Sequence, residues 1–137
     1  MDDTTFLWIR FCPQAGNMAE VLRAQRDGER IRVTATETVP TVPPEEFEAA
    51  VADIIRREYV AGPCRCVIDL GQCPWLNSQG IGVMIAWYQL ITQAKGRMVL
   101  VRPDTRVRNV LAITRLDQVF PIFDTLEEGL DDLLPVG

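Results

Sequence analysis

The chain has no histidine, a single serine (Ser78) and a single lysine (Lys95). Each shortage removes a kind of chemistry. Without histidine there is no Ser-His-Asp triad and no Cys-His dyad. The four cysteines, Cys12, Cys64, Cys66 and Cys73, lack an imidazole to complete a zinc site, and the spacing CRCVIDLGQC fits no zinc pattern. They are expected to be buried or semi-buried free thiols. Ser78 and Lys95, if they end one helix, lie ~25 Å apart at ~1.5 Å per residue, too far for a Ser-Lys dyad. No apolar run approaches the ~18 residues that span a membrane. The opening MDDTTFLWIRFCPQ is acidic where a secretion leader is basic, so a cytoplasmic location without membrane insertion is expected.

Positive charge is also short. The net charge is −5, with 14 basic against 19 acidic residues. The densest basic group, Arg102, Arg106, Arg108 and Arg115, is a local patch, so direct nucleic-acid binding is not expected. No glycine-rich loop carries a lysine for nucleotide phosphates. Carboxylates are plentiful, but none form a recognisable acid/base pair. The expectation is a protein that is not an enzyme and holds no cofactor or metal.

What is present points to one α/β domain of 137 residues. AEVLRAQ and ERIRVTATETV flank the turn signal Asp27-Gly28, which predicts a hairpin. Ile31, Val33 and Ala35 alternate with Arg32, Thr34 and Thr36, predicting a half-buried strand whose buried part ends before Glu37. Pro43 and Pro44 suit a helix start, and Phe47, Ala50, Val51, Ile54 and Ile55 recur at helical spacing through Tyr59 until AGP. CRCVIDL and RMVLVRP read as buried strands. Between them SQGIGVMIAWYQLITQAK reads as a helix stopped by Gly96. A helix from Pro103-Asp104 carries Val107, Val110, Leu111 and Ile113. VFPIFDT is a short strand, and TLEEGLDDLL is a helix with a capping box from Thr125 to Glu128. The sum is a mixed central sheet of four to five strands with about four helices over residues 19–137. Residues 1–18, with the apolar FLWIRF, form an N-terminal extension, an extra strand or an arm.

Ser78 sits where a helix N-cap is expected, after the loop GQCPWLN. Gly80 and Gly82 follow it in the first turn, where each costs ~1 kcal/mol relative to alanine. Such glycines let another backbone approach closely. The helix carries two apolar stripes: Ile81, Met84, Ile85, Tyr88 and Ile91, then Val83, Trp87, Leu90 and Ala94. The second stripe is either covered by a neighbouring helix or left as a partner surface.

The stretch VIDLGQCPWLNSQGIGVMIAWYQLITQAKGRMVLVRP resembles the STAS domain of bacterial anti-sigma factor antagonists, and the likeness runs through residues 19–134. The family shows Asp-Ser-Ser/Thr-Gly-Leu-Gly before its helix. Here Asn77 stands for the Asp, Gln79 for the second Ser or Thr, and Ile81 for the Leu. The resemblance implies that Ser78 is phosphorylated by an anti-sigma factor that is itself a serine kinase, that phosphorylation releases this partner, and that a serine phosphatase resets the cycle. It places the partner surface at Asn77, Gln79, Gly80, Ile81, Gly82, Val83 and Trp87. Family members that lack phosphorylation look like scaffolds or transporter-accessory subunits, and this second reading takes support from Asn77, Gln79 and the apolar Phe6 to Phe11.

Overall fold

A computed structural model describes residues 5–11, 18–40, 44–59, 64–71, 73 and 76–134. The helix start at Pro43, the AGP stop, Cys12 and part of the GQCPWLN loop lie outside these residues. The elements run β1 (Thr5–Arg10), β2 (Met18–Asp27), β3 (Arg30–Pro40), α1 (Pro44–Tyr59), β4 (Arg65–Asp69), α2 (Ser78–Gln93), β5 (Arg97–Val101), α3 (Thr105–Ile113), a 3-10 turn (Leu116–Gln118), β6 (Ile122–Phe123) and α4 (Leu126–Leu133).

The sheet has six strands in the order β3-β2-β1-β4-β5-β6, more than the four to five expected. The addition is β1, which lies in the middle of the sheet, antiparallel to β2 and parallel to β4. Its continuous apolar run follows from that position. Phe6 and Trp8 point to one face, Leu7 and Ile9 to the other, and all four are buried. Strands β4, β5 and β6 are parallel, as helical crossovers require.

Helices α1, α2 and α3 cover one face. Phe47, Val51, Ile54, Met84, Trp87, Ile91, Val107 and Leu111 pack there on Leu7, Ile9, Val21, Ile68 and Leu100. Helix α4 covers the other through Leu126, Leu130 and Leu133, on Phe6, Trp8, Val67, Val99 and Val101. Gly129 lets α4 approach β5, because a Cβ there would lie 2.3 Å from Val101 Cγ1. Asp104 and Thr125 cap α3 and α4, and Thr125 makes the expected box with Glu128.

Three local readings shift. The hairpin turn is Gly28-Glu29, with Gly28 at φ +62°. Helix α2 ends at Gln93 with Ala94 as its C-cap, and Lys95 just beyond takes the left-handed conformation at φ 63°. The Lys95 and Gly96 N–H groups then donate to the carbonyls of Thr92 and Ile91. Gly96 is needed for another reason: a Cβ on it would fall 2.3 Å from the Cys64 carbonyl oxygen. Strand β3 is mostly exposed rather than half-buried, since it is an edge strand and Val33 is 42% exposed. Its alternation also breaks. Val33 pairs with Ala24 but Ala35 with Arg23, so Thr34 is an extra residue. Ile113, the last residue of α3, is 81% exposed.

Cys64, Cys66 and Cys73 are buried and stand outside any disulfide. Burial pushes Cys64 from 9.0 up to about 12, and Cys66 upward as well. The thiolate is the reactive form. Native protein at pH 8 should therefore leave both thiols unalkylated until denaturant is added, as read by intact mass. The raised value favours the neutral thiol in the fold. The stability contributed by Cys64 should be complete below pH 9.0 and be lost as pH rises towards about 12.

Candidate functional site

The loop between β4 and α2 leaves the sheet at the carboxyl ends of its parallel strands, where sites in such sheets gather. It is anchored at both ends. The Phe11 N–H donates to the Asp69 carbonyl, Leu70 N–H to that of Val101, and Cys73 N–H to that of Leu70, each at 3.0 Å. Leu70, Cys73 and Leu76 are buried. These side chains sink the loop into the core, and Asn77 and Ser78 emerge from it.

Asn77, not Ser78, is the N-cap of α2. Its backbone is extended (φ −93°, ψ 176°), and its side-chain Oδ1 accepts the Gly80 N–H at 2.8 Å. Asparagine and aspartate cap about equally well. The departure from the family's Asp therefore keeps the local geometry and removes one negative charge. Ser78 is consequently the first helical residue, and it is exposed. Its hydroxyl is not used in the cap, and it stands at the positive end of a helix of 16 residues.

The structure sorts the seven surface residues expected around Ser78. Gln79 and Gly82 are exposed, and Asn77 and Ile81 are half-buried. A Cβ on Gly82 would meet nothing within 4 Å. Packing inside the protein gives no reason for a glycine there, and its bare backbone faces outward. Gln79, Gly82 and Val83 line a shallow cleft of about 270 Å³ whose far wall is Glu45 and Glu48 of α1. Gly80 and Val83 are buried.

Trp87 is wholly buried, which corrects its expected place in a partner surface. Its ring meets Phe11 edge-on at 5.1 Å and Phe47 at 5.5 Å, while Phe11 and Phe47 stack at 5.6 Å. This aromatic cluster fixes α2 against α1 and the end of β1. The second apolar stripe of α2 is thus covered by a neighbouring helix. Phe6 to Phe11, which favoured a scaffold reading as an apolar arm, belong to β1 and the core.

One group was missed. Asp69, at the end of β4, is the buried charge among the described residues, 3% exposed. Its carboxylate accepts hydrogen bonds from Trp8 Nε1 at 2.9 Å, Gly71 N–H at 2.9 Å and Arg102 Nε at 3.1 Å, with a second bond from Arg102 Nη2. The bond to Asp69 raises the Arg102 pKa further above its ordinary value. Arg102 itself sits in the left-handed region at φ 56°. The network ties β1, β4, the start of the loop and the end of β5 together. The sequence signal was a lone Asp closing the apolar run CVID. Arg108 pairs with Asp124, so the basic patch read from sequence is partly neutralised.

Among the described residues no cluster of His, Cys, Asp or Glu could hold a metal ion. Among the same residues no helix is long and apolar enough to cross a membrane.

A loop held by buried apolar anchors, an asparagine cap, an exposed serine and an outward glycine thus lie together at one end of a six-stranded α/β domain. The chain belongs to the STAS domain family, which residues 22–129 match. It is 34% identical over 69 residues to a protein of Thermotoga neapolitana that carries the name of a candidate anti-sigma factor antagonist. That match covers 50% of this chain and 61% of the relative. The anti-sigma F factor antagonist of Paenibacillus polymyxa is 30% identical over 67 residues, 49% of this chain and 57% of its own. The chain thus spans less than two thirds of the length of either relative. Among solved structures, an anti-sigma factor antagonist (STAS) domain protein from Planctomyces limnophilus superposes with a TM-score of 0.56. It is 20% identical and covers 82% of this chain and 97% of that one, a likeness of fold.

Proposed function

We propose that this chain is an anti-sigma factor antagonist. It binds an anti-sigma factor kinase through the N-terminal turn of α2 and is switched off by phosphorylation at Ser78. The observation that carries this reading is the division of labour between Asn77 and Ser78. The asparagine holds the helix end, and the serine hydroxyl stands exposed beside it. A kinase would transfer the γ-phosphoryl group of ATP to Ser78 Oγ. The hydroxyl proton leaves to the kinase's base, and ADP departs.

Phosphate adds nearly two negative charges. A helix N-terminus accepts such charge, so the fold is kept. The same charge and bulk at Ser78 obstruct a partner seated on Gln79, Ile81 and Gly82. Glu45 and Glu48 across the cleft give the unmodified surface an acidic rim, which suits a partner presenting cations. The switch acts by local charge and sterics on an otherwise unchanged domain. A serine phosphatase restores the unmodified form. The action needs no cofactor, is not itself enzymatic, and takes place in the cytoplasm.

The test is incubation with the cognate kinase and ATP, followed by intact mass. The expected result is a gain of one phosphate that is absent from Ser78→Ala. No gain, or a gain that persists in Ser78→Ala, overturns the reading and leaves the scaffold reading, in which partner binding is indifferent to Ser78→Asp.

A further inference from the structure

Strand β3 is the long, open edge of the sheet. It runs 11 residues from Arg30 to Pro40, and the side chains from Arg32 through Thr38 are all exposed. Such an edge presents a row of backbone groups to any strand that matches it. The match is unusually constrained here. Residues paired across an antiparallel ladder share a face, so Val33 lies with Ala24 on the α4 face and Ile31 packs there too. Beyond the extra residue Thr34 the faces exchange. Glu37 lies opposite Val21 and Val39 opposite Ala19, both on the α1 face. Arg32, opposite Gln25 and next to Val33, is also on the α1 face.

The geometry points to a homodimer in which β3 pairs antiparallel with β3 of a second copy, about a two-fold axis between Thr34 and Ala35. That register sets Arg32 against the partner copy's Glu37, and by symmetry Glu37 against its Arg32. It also sets Val33 against Thr36 and Ile31 against Thr38. Arg32 and Glu37 are five residues apart. In an unbroken strand they would point to opposite faces, and the pairing would fail. The bulge puts both on the α1 face, so each cross-strand pair becomes face-matched. The extra residue Thr34 of each copy then lies beside the axis, opposite Ala35 of the other copy, whereas a regular strand would fall out of step with it. This match favours a second copy over a foreign strand. The existing Glu37–Arg57 contact, 3.4 Å and well exposed, is weak and leaves the carboxylate room for a second cation.

The test is sedimentation of the full chain from low micromolar to millimolar concentration, with no partner and no kinase present. The wild-type chain should show a reversible dimer. Arg32→Glu and Glu37→Arg should each weaken it about tenfold or more, since like charges placed directly opposite repel. Mixed in equal amounts, the two single variants should form a heterodimer, because each supplies the charge the other lacks. Melting curves confirm that both variants are folded, the substituted positions being exposed. A wild-type chain that stays monomeric overturns the proposal. So does a dimer unmoved by either reversal, or a mixture that does not associate. None of these outcomes depends on Ser78, so they leave the phosphorylation reading untouched.

Discussion

Asp69→Ala is expected to destabilise the domain by about 3 kcal/mol, the lower end of the range for breaking a buried charged pair. The loss has two sources. The indole N–H of Trp8 and the backbone N–H of Gly71 lose their acceptor, and an orphaned buried donor costs about 1–3 kcal/mol. Arg102 adds less, because its side chain is 45% exposed and can turn to water. Urea denaturation should show a lower midpoint with an unchanged slope. Trp8→Phe, which removes one donor and keeps the carboxylate paired, should cost only about 1 kcal/mol. A change below that for Asp69→Ala would mean the network does not support the fold. The variant should also speed amide exchange at Gly71, where the site loop begins.

Gly82→Leu should move stability and binding in opposite directions. The site is exposed and a Cβ meets nothing, so the fold gains about 0.8 kcal/mol from helix propensity. A partner seated on the first turn of α2, as proposed, would lose its close approach to the backbone. Affinity for the anti-sigma factor should fall about a hundredfold, or ~2.7 kcal/mol. Thermal melting and titration calorimetry read the two effects separately. A stabilised variant with unchanged affinity would remove Gly82, and the first turn of α2 around it, from the interface.

The helices were legible because their apolar spacing repeats over many residues. Phe47 to Ile55 carries about two and a half turns of signal and Ile81 to Ile91 about three, and burial follows them. Other features depend on contacts that spacing does not encode. β1 reads as an apolar run with no turn to a neighbour, since its parallel partner β4 lies some sixty residues on. The bulge at Thr34 is invisible because threonine and valine continue the alternation through it. The choice between Asn77 and Ser78 as cap rests on backbone angles, both residue types being good caps. The tie between Asp69 and Arg102 spans 33 residues. Ser78 itself was found by scarcity and by a family likeness. Its exposure and its freedom from the cap depend on the backbone geometry at Asn77, which spacing does not encode.

The position of β1 also dictates an order of events when the chain folds. The β2-β3 hairpin closes locally around Gly28, and β4-β5 and β5-β6 each pair strands joined by one helical crossover. Leu7 and Cys66 are neighbours in the finished sheet, so β1 made first must wait until β4 has been made before its second edge is paired. Closing so long a loop brings an entropy cost before any contact rewards it. During that wait Phe6, Leu7, Trp8 and Ile9 have a partner strand on one side only. The hairpin β2-β3 and the parallel strands β4, β5 and β6 meet only through β1, so the pairing of β1 with β4 is the step that joins the two halves of the sheet and brings Trp8 to Asp69.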